Sequence, residues 1–296
     1  MYKLMLGVCL FLLSFAGLKA QDDSEKSENA SSIAKELANP NATRGQLFNH
    51  FDYVRYDGEV NDAGQNSFVY SFQPSLPVPL AEGTNLFIRP LIPVYISHPV
   101  LGTTGFESKA SLGNISADVA IGKTWPSKWM TMVGVFGGFP TATNKELRSN
   151  FVTLGPEVIA GKVMKWGFLG LMVNHAWSVS SKDADPASVT TLQDTYWTTT
   201  GGRNKASVTA GQYFYTVALK NGWQIQSTPT FSYNHKAEKG ERLILPIGTG
   251  ATKVTNFGKL PVKINAQYWF YAASPDSFGP RHQIRVSIIP VIALPW

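Results

Sequence analysis

Few side chains in this sequence have the types and spacing for chemistry. Five histidines, His50, His98, His175, His235 and His282, are scattered along the chain, and no H-E-x-x-H pair or Asp-rich calcium loop accompanies them. Asn174-His175 with Ser178 offers the residue types of a hydrolytic Ser–His–Asn set. A nucleophilic serine needs its oxygen within hydrogen-bond reach of the imidazole. Neighbouring Asn174 and His175 point to opposite faces of any strand, so the three do not simply converge. A rim histidine beside a tryptophan is the simpler reading. Gly122-Lys123-Thr124 lacks the glycine a phosphate loop needs five residues earlier, where Ala117 stands. The single cysteine, Cys9, lies in the N-terminal apolar segment, so the chain beyond it has no thiol for a disulfide, a Cys-ligated zinc or a Cys nucleophile. No cofactor or metal is implied, and an enzyme is not expected.

What remains is charge and amide chemistry on one face of the strands. Gln73, Arg89, Asn114, Ser116, Asp118, Glu157, Asn174, Gln212, Gln226, Lys263, Asn265, Gln267 and Arg285 all fall at polar positions of segments that alternate with period two. In 260–273, Val262, Ile264, Ala266, Tyr268 and Phe270 alternate with Lys263, Asn265 and Gln267. The same holds for Ile115, Ala117, Val119 and Ile121 against Asn114, Ser116 and Asp118. Both charge signs occur in the polar set. Buried charges need partners or water, so Arg89, Lys263 and Arg285 are expected to pair with Asp118 or Glu157.

Twelve strand-like segments are expected, within a range of ten to fourteen: 46–56, 67–78, 84–96, 112–122, 128–138, 151–163, 166–179, 206–219, 222–234, 241–254, 260–273 and 282–294. Most match or exceed the ~9–11 residues that a tilted strand needs to cross a bilayer. Short connections (79–83, 123–127, 164–165, 220–221, 255–259) alternate with mostly longer polar ones (57–66, 97–111, 139–150, 180–205, 235–240, 274–281). That alternation and the even count predict an all-β, antiparallel, up-and-down transmembrane β-barrel with both termini periplasmic. Aromatics near the short turns (Trp125, Trp129, Trp166, Trp223) and near the outer ends (Tyr56, Tyr95, Trp177, Tyr233, Tyr271) suggest two interfacial girdles. Pro74, Pro77, Pro90, Pro93, Pro229, Pro246 and Pro290 fall in or near strands and are expected at bulges or strand ends. Segments 46–56 and 241–254 carry the weakest signal.

Composition agrees. Only 16% of residues are charged and 12% are aromatic. Residues 1–20 read as a signal peptide, with Lys3, an apolar core from Leu4 to Phe15, and Leu18-Lys19-Ala20 before the cleavage point. Removing Lys3 and Lys19 leaves 24 basic against 20 acidic residues, scattered rather than clustered, which disfavours nucleic acid. Residues 21–45 form an acidic, Ser/Asn-rich periplasmic tail that turns helix-like over 33–38 and either stays free or enters the barrel mouth. The barrel occupies 46–296. It ends on Trp296 after Ile284, Val286, Ile288, Pro290, Ile292 and Leu294 alternate with polar positions, like the signal read by the barrel-insertion machinery.

Several stretches resemble, in order, a Gram-negative outer-membrane family described as a putative MetA pathway of phenol degradation, often called simply transporter and sometimes mislabelled neuromedin U. They are Glu36-Leu37-Ala38-Asn39-Pro40, Ile88-Arg89-Pro90-Leu91-Ile92-Pro93-Val94, Gly138-Phe139-Pro140-Thr141-Ala142-Thr143 and Gly155-Pro156. Asn174-His175-Ala176-Trp177-Ser178-Val179, Tyr268-Trp269-Phe270-Tyr271 with Pro275-Asp276, and the closing strand complete the set. The acidic tail 21–35 departs from the pattern. The resemblance implies a transport barrel in the outer membrane for passive passage of small, including aromatic or hydrophobic, solutes. Its partners would be outer-membrane lipids, the insertion machinery and a small-molecule solute. The rivals are a non-conducting structural or surface-binding barrel and, with less support, a barrel lipase similar to outer-membrane phospholipase A.

Overall fold

A computed structural model describes residues 32, 33, 36–149, 151–181 and 206–296. The expected signal 1–20, most of the tail and nearly all of loop 180–205 lie outside the described residues. No helix among the described residues is long and apolar enough to cross a membrane.

Fourteen strands form one sheet: β1 (Gly45–Asp57), β2 (Asn66–Ala81), β3 (Thr84–Gly102), β4 (Gly105–Leu112), β5 (Ile115–Thr124), β6 (Trp129–Phe139) and β7 (Phe151–Met164) come first. They are followed by β8 (Gly167–Ser181), β9 (Ser207–Ala218), β10 (Trp223–Ser227), β11 (Thr230–Asn234), β12 (Leu243–Phe257), β13 (Leu260–Ala273) and β14 (Gly279–Ile292). β5 and β4 pair with successive halves of β3. β10 and β11 likewise share β9 and β12 as neighbours. Each pair makes one stave, so the barrel has twelve, all antiparallel. β14 closes it on β1, with Gly45 opposite Ile292 and Asp57 opposite Gly279.

Short turns at 82–83, 125–128, 165–166, 219–222 and 258–259 lie at one end, here the turn end. The start of β1 and the finish of β14 lie there too. The stretch 97–111 is not the expected loop. β3 runs on to Gly102, and β4 pairs back on it through a tight turn at 103–104. Pro99 and the two glycines that bound the turn imitate loop chemistry in the sequence.

The period of two sorts the faces. Val119, Val133, Val135, Val158, Leu169, Leu171, Ile284, Val286 and Ile288 point out and are exposed, Val133 by 64%. No second layer among the described residues covers them. Trp125, Trp129, Trp166 and Trp223 ring the turn end, each more than 40% exposed. At the opposite, loop end the outer girdle is Tyr53, Trp177, Tyr268 and Phe270. Tyr56, Tyr95 and Tyr271 do not join it. Tyr56 and Tyr271 are buried inside, and Tyr95 packs against the buried Val100–Ala142–Leu147 cluster. Their place in the alternation, in step with Asp52 and Val54 for Tyr56, decides this over proximity to a strand end.

The prolines divide. Pro229 falls in the break between β10 and β11, and Pro246 sits at a register shift against β13. Pro74 and Pro90 occupy the opposed stretches 73–75 and 89–91, where the β2–β3 ladder skips from Phe72–Ile92 to Leu76–Ile88. Each still pairs on its other side, with Leu47 and Ala117. Facing prolines concentrate the missing N–H donors in one seam. Pro77, Pro93 and Pro290 pair on one side, with Phe87, Ser71 and Val262; on the other side Pro77 lies past the end of the β1–β2 ladder, Pro93 between the β5 and β4 pairings, and Pro290 where the β1–β14 ladder skips. Gly248 and Gly250 weaken the signal of β12 for a packing reason. A Cβ on either would run into a β13 backbone carbonyl, that of Tyr268 or Ala266, with Trp269 or Gln267 also in contact.

Candidate functional site: the barrel lumen

The thirteen polar candidates all face inward, but they do different things. The centre of one wall is an ion triad. β3 and β5 are in register with Arg89 opposite Asp118, and Arg89 Nε donates to Asp118 Oδ2 at 2.7 Å. Its Nη2 reaches past β6 to Glu157 Oε1 on β7 at 3.4 Å. The inward position of β6 beside Glu157 is Gly134, which puts no side chain in the way. Asn174 on β8 lies across from Glu157 in register and is buried.

The β1–β14 closure, two staves from Arg89, holds a second pair. Arg285 donates from Nε and Nη2 to the two oxygens of Asp52, at 2.7 and 2.8 Å. Asp52 and Arg285 are register partners across the β1–β14 closure. Gln283 Nε2 adds a donor to Asp52 at 2.8 Å, and Trp269 lies under the guanidinium at 4.8 Å. The expected pairing is therefore corrected in two of three cases. Arg89 does bind both Asp118 and Glu157, but Arg285 takes Asp52. Lys263 has no ion-pair partner among the described residues and is buried near the turn end beside Val254 and Ile289. Asp52 was missed because its partner sits 233 positions away. The available signal was its inward parity with Val54 on the most polar strand.

Other candidates hold the structure together. Gln267 Oε1 accepts the Thr228 N–H at 2.9 Å and the Trp269 indole N–H at 3.1 Å, and its amide donates to Asn265 Oδ1 at 2.8 Å. Asn265 donates to Thr252, and Thr252 to Gln226, at 2.6 and 3.0 Å. Gln212 Nε2 donates to the Thr228 carbonyl at 3.0 Å. Pro229 breaks the ladder here, and these amides supply the bonds the backbone lacks. Asn114 pins an outer loop inward by donating to the Leu147 carbonyl at 2.9 Å and accepting the Ser149 N–H at 3.2 Å.

Beside both ion groups lies a cavity of about 130 Å³. Gln73, Arg89, Asn114, Ser116, Asp118, Glu157, Gln212 and Arg285 line it, together with Asp52 and His50; Leu91, Phe136 and Met172 add apolar surface. Lys263, Asn265, Gln267, Gln226 and Asn174 do not reach it. His50 Nδ1 lies 2.7 Å from Ser287 Oγ.

Both ends are packed. At the loop end Tyr56 stacks on Phe278 with ring centroids 5.0 Å apart, and Phe106 packs on Phe278 at 4.8 Å. At the turn end Ile33, Leu37 and Ala42 pack on the inward side chains Val254 and Val291, while Ala38 joins Phe87, Met130, Met132, Ile159 and Phe168. A turn of helix is marked by Leu37 N–H to the Ile33 carbonyl at 2.9 Å. Asn41 Nδ2 donates to the Gly83 carbonyl at 3.0 Å and to Thr124 Oγ1 at 2.8 Å, and Asn85 donates back to Asn41 Oδ1 at 3.1 Å.

The hydrolytic set does not assemble. Asn174 faces the lumen, while His175 faces out with Nδ1 2.8 Å from Thr209 Oγ1 and Nε2 3.2 Å from Ser207 Oγ. Ser178 Oγ instead accepts the Ala206 N–H at 3.1 Å.

Fold and lumen together define a closed twelve-stave β-barrel of the outer-membrane type. The chain is similar to the COG4313 outer membrane channel from Pseudomonas putida F1, with TM-score 0.60 and 11% identity over 84% of this chain and 96% of that one. It is also similar to the NanC porin, with TM-score 0.50 and 9% identity over 84% of this chain and 100% of that one. No family model matches the chain, and no curated protein does. The ordered motifs that resemble the phenol-degradation family therefore gain no support at the level of a family match.

Proposed function

We propose that this chain is an outer-membrane channel through which small solutes, aromatic or hydrophobic ones among them, diffuse passively. One observation carries the reading: a cavity lined by paired charges and amides lies inside a barrel whose outer rows are apolar and uncovered. A sheet that buried its core against another layer would show the reverse. Eight strands give a barrel filled by side chains and sixteen an open channel. Twelve leave a restricted route, and here the belt of Arg89, Asp118, Glu157, Asp52 and Arg285 is the selectivity element.

In this reading residues 1–20 are removed on export, 21–45 form the periplasmic tail, and 46–296 the barrel. Both termini face the periplasm, and the insertion machinery reads Trp296. The likeness to two channel-forming barrels supports it. The packing at both lumen ends favours the rival, a non-conducting barrel that binds through its surface, and makes opening a conformational step. Liposome swelling with a panel of sugars, amino acids and aromatic acids decides between them. Size-limited swelling is the expected result. Intact liposomes that never swell, and planar bilayers without conductance steps, would discard the channel.

A further inference from the structure

The turn end carries a pattern that solute passage does not use. Three lysines lie over three outward tryptophans: Lys123 Nζ is 4.4 Å from the ring centroid of Trp125, Lys162 is 5.4 Å from Trp129, and Lys253 is 5.2 Å from Trp223. Two of the pairs are neighbours on the adjoining staves β5, β6 and β7, and the third lies apart from them at β10–β12. None of the three has a carboxylate partner among the described residues. Four more lysines, Lys128, Lys165, Lys220 and Lys259, lie in the turns themselves, against the single acid Glu82.

The loop end differs. There charges of both signs alternate, as in Glu107 with Lys109, Lys145 with Glu146, and Glu238 and Glu241 with Lys236, Lys239 and Arg242. The basic excess at the turn end, where Glu82 and the Arg44-paired Glu36 are the described acids beside it, is therefore not a by-product of a basic chain.

The depth of these lysines identifies what they meet. A tryptophan at a barrel end sits at headgroup level. A lysine laid over its ring buries its stem on apolar surface and holds its ammonium at that same level. We infer that the turn end is a binding collar for anionic glycerophospholipids, lipids whose phosphodiester carries a net negative charge, in the leaflet that it faces. Phosphate oxygens take the ammonium groups, and acyl chains lie along the uncovered Val, Leu and Ile rows. A zwitterionic lipid presents its own cation and gains less. Each basic group near an anionic headgroup contributes about fivefold in binding. Assigning that leaflet to the periplasmic side rests on the proposed orientation; the lipid preference does not.

Native mass spectrometry of the full chain folded in detergent micelles tests this, with phosphatidylglycerol or phosphatidylcholine added at matched chain length. Heat-modifiable mobility on gels verifies folding. The expected result is at least tenfold stronger retention of phosphatidylglycerol, falling tenfold or more in K123Q/K162Q/K253Q and unchanged in the loop-end variant K109Q/K236Q/K239Q. Should the collar variant fail to fold, the double variant K123Q/K162Q and the salt dependence of the wild type take its place. Equal retention of both lipids would overturn the inference, as would equal loss in the two variants, which marks general charge attraction. A chain that conducts without lipid preference sinks only the collar. One that prefers the anionic lipid but stays silent sinks only the channel.

Discussion

Replacing Arg89 by Gln should make the pore more cation-selective, because one guanidinium now serves two carboxylates. Arg89, Asp118 and Glu157 sum to a formal charge of −1, and Asp52 with Arg285 sums to zero. Removing Arg89 takes the belt from −1 to −2 and frees both acids to face the cavity. A unit charge about 4 Å from a passing ion in a water-like medium is worth about 1 kcal/mol. That corresponds to about a fivefold rise in the cation-to-anion permeability ratio. The assay is the reversal potential of single channels in planar bilayers across a KCl gradient. Arg89→Lys keeps the charge but loses the forked reach to Glu157, so it should move the ratio much less than Arg89→Gln. The arm of Arg89 facing the cavity is 21% exposed, so water tempers the stability loss that a fully buried pair would suffer. If Arg89→Gln conducts with an unchanged ratio, or one shifted toward anions, the belt is not the selectivity element.

Three further outcomes follow from the same geometry. Asp52→Asn strips the buried Arg285 of its counter-charge at the β1–β14 closure and should cost about 3–5 kcal/mol, read as a lower urea midpoint for the folded, heat-modifiable band; a midpoint within error of wild type would contradict the closure account. Gln267→Leu orphans the Thr228 N–H beside the proline break and should cost about 2 kcal/mol by the same measurement, while Gln226→Leu, which loses one bond, costs less. Asn41→Ala removes three hydrogen bonds that hold 36–42 at the turn end, worth about 1 kcal/mol each. Channel openings in bilayers should become tenfold or more frequent, and an unchanged opening rate would show that this segment does not limit passage.

Much of the fold was legible because a membrane strand leaves a simple trace. Each stave alternates, and each short turn is marked by Gly, Pro or Lys-Trp chemistry, so the staves of the barrel could be counted before any pairing was known. The same alternation put Arg89, Asp118 and Glu157 on one face. Register was the missing quantity. Whether Arg285 meets Asp52 or Glu157 depends on how the first and last strands slide, and no local pattern fixes that. Tyr56 and Tyr271 lie close to strand ends, yet parity along the strand, not closeness to its end, sets the face and turns both inward. The stretch 97–111 looks like a loop in sequence because Pro99, Gly102 and Gly105 mark turns in general, and in the fold they bound a hairpin. The amide network around Gln267 leaves no local trace for a similar reason: it answers the gap beside Pro229, where its partner Thr228 lies 39 residues away.

The claim beneath all of this is that the outer rows touch hydrocarbon. The chain has one cysteine, Cys9, so in a Cys9→Ser background a single spin label can be set at Val133 on the outside or at Ser116 in the lumen. Collision rates in lipid vesicles with oxygen, which partitions into lipid, and with a water-soluble nickel chelate then read each environment. The label at 133 should meet oxygen and be shielded from nickel, with the label at 116 less exposed to oxygen. Ready access of nickel to the label at 133 would contradict it.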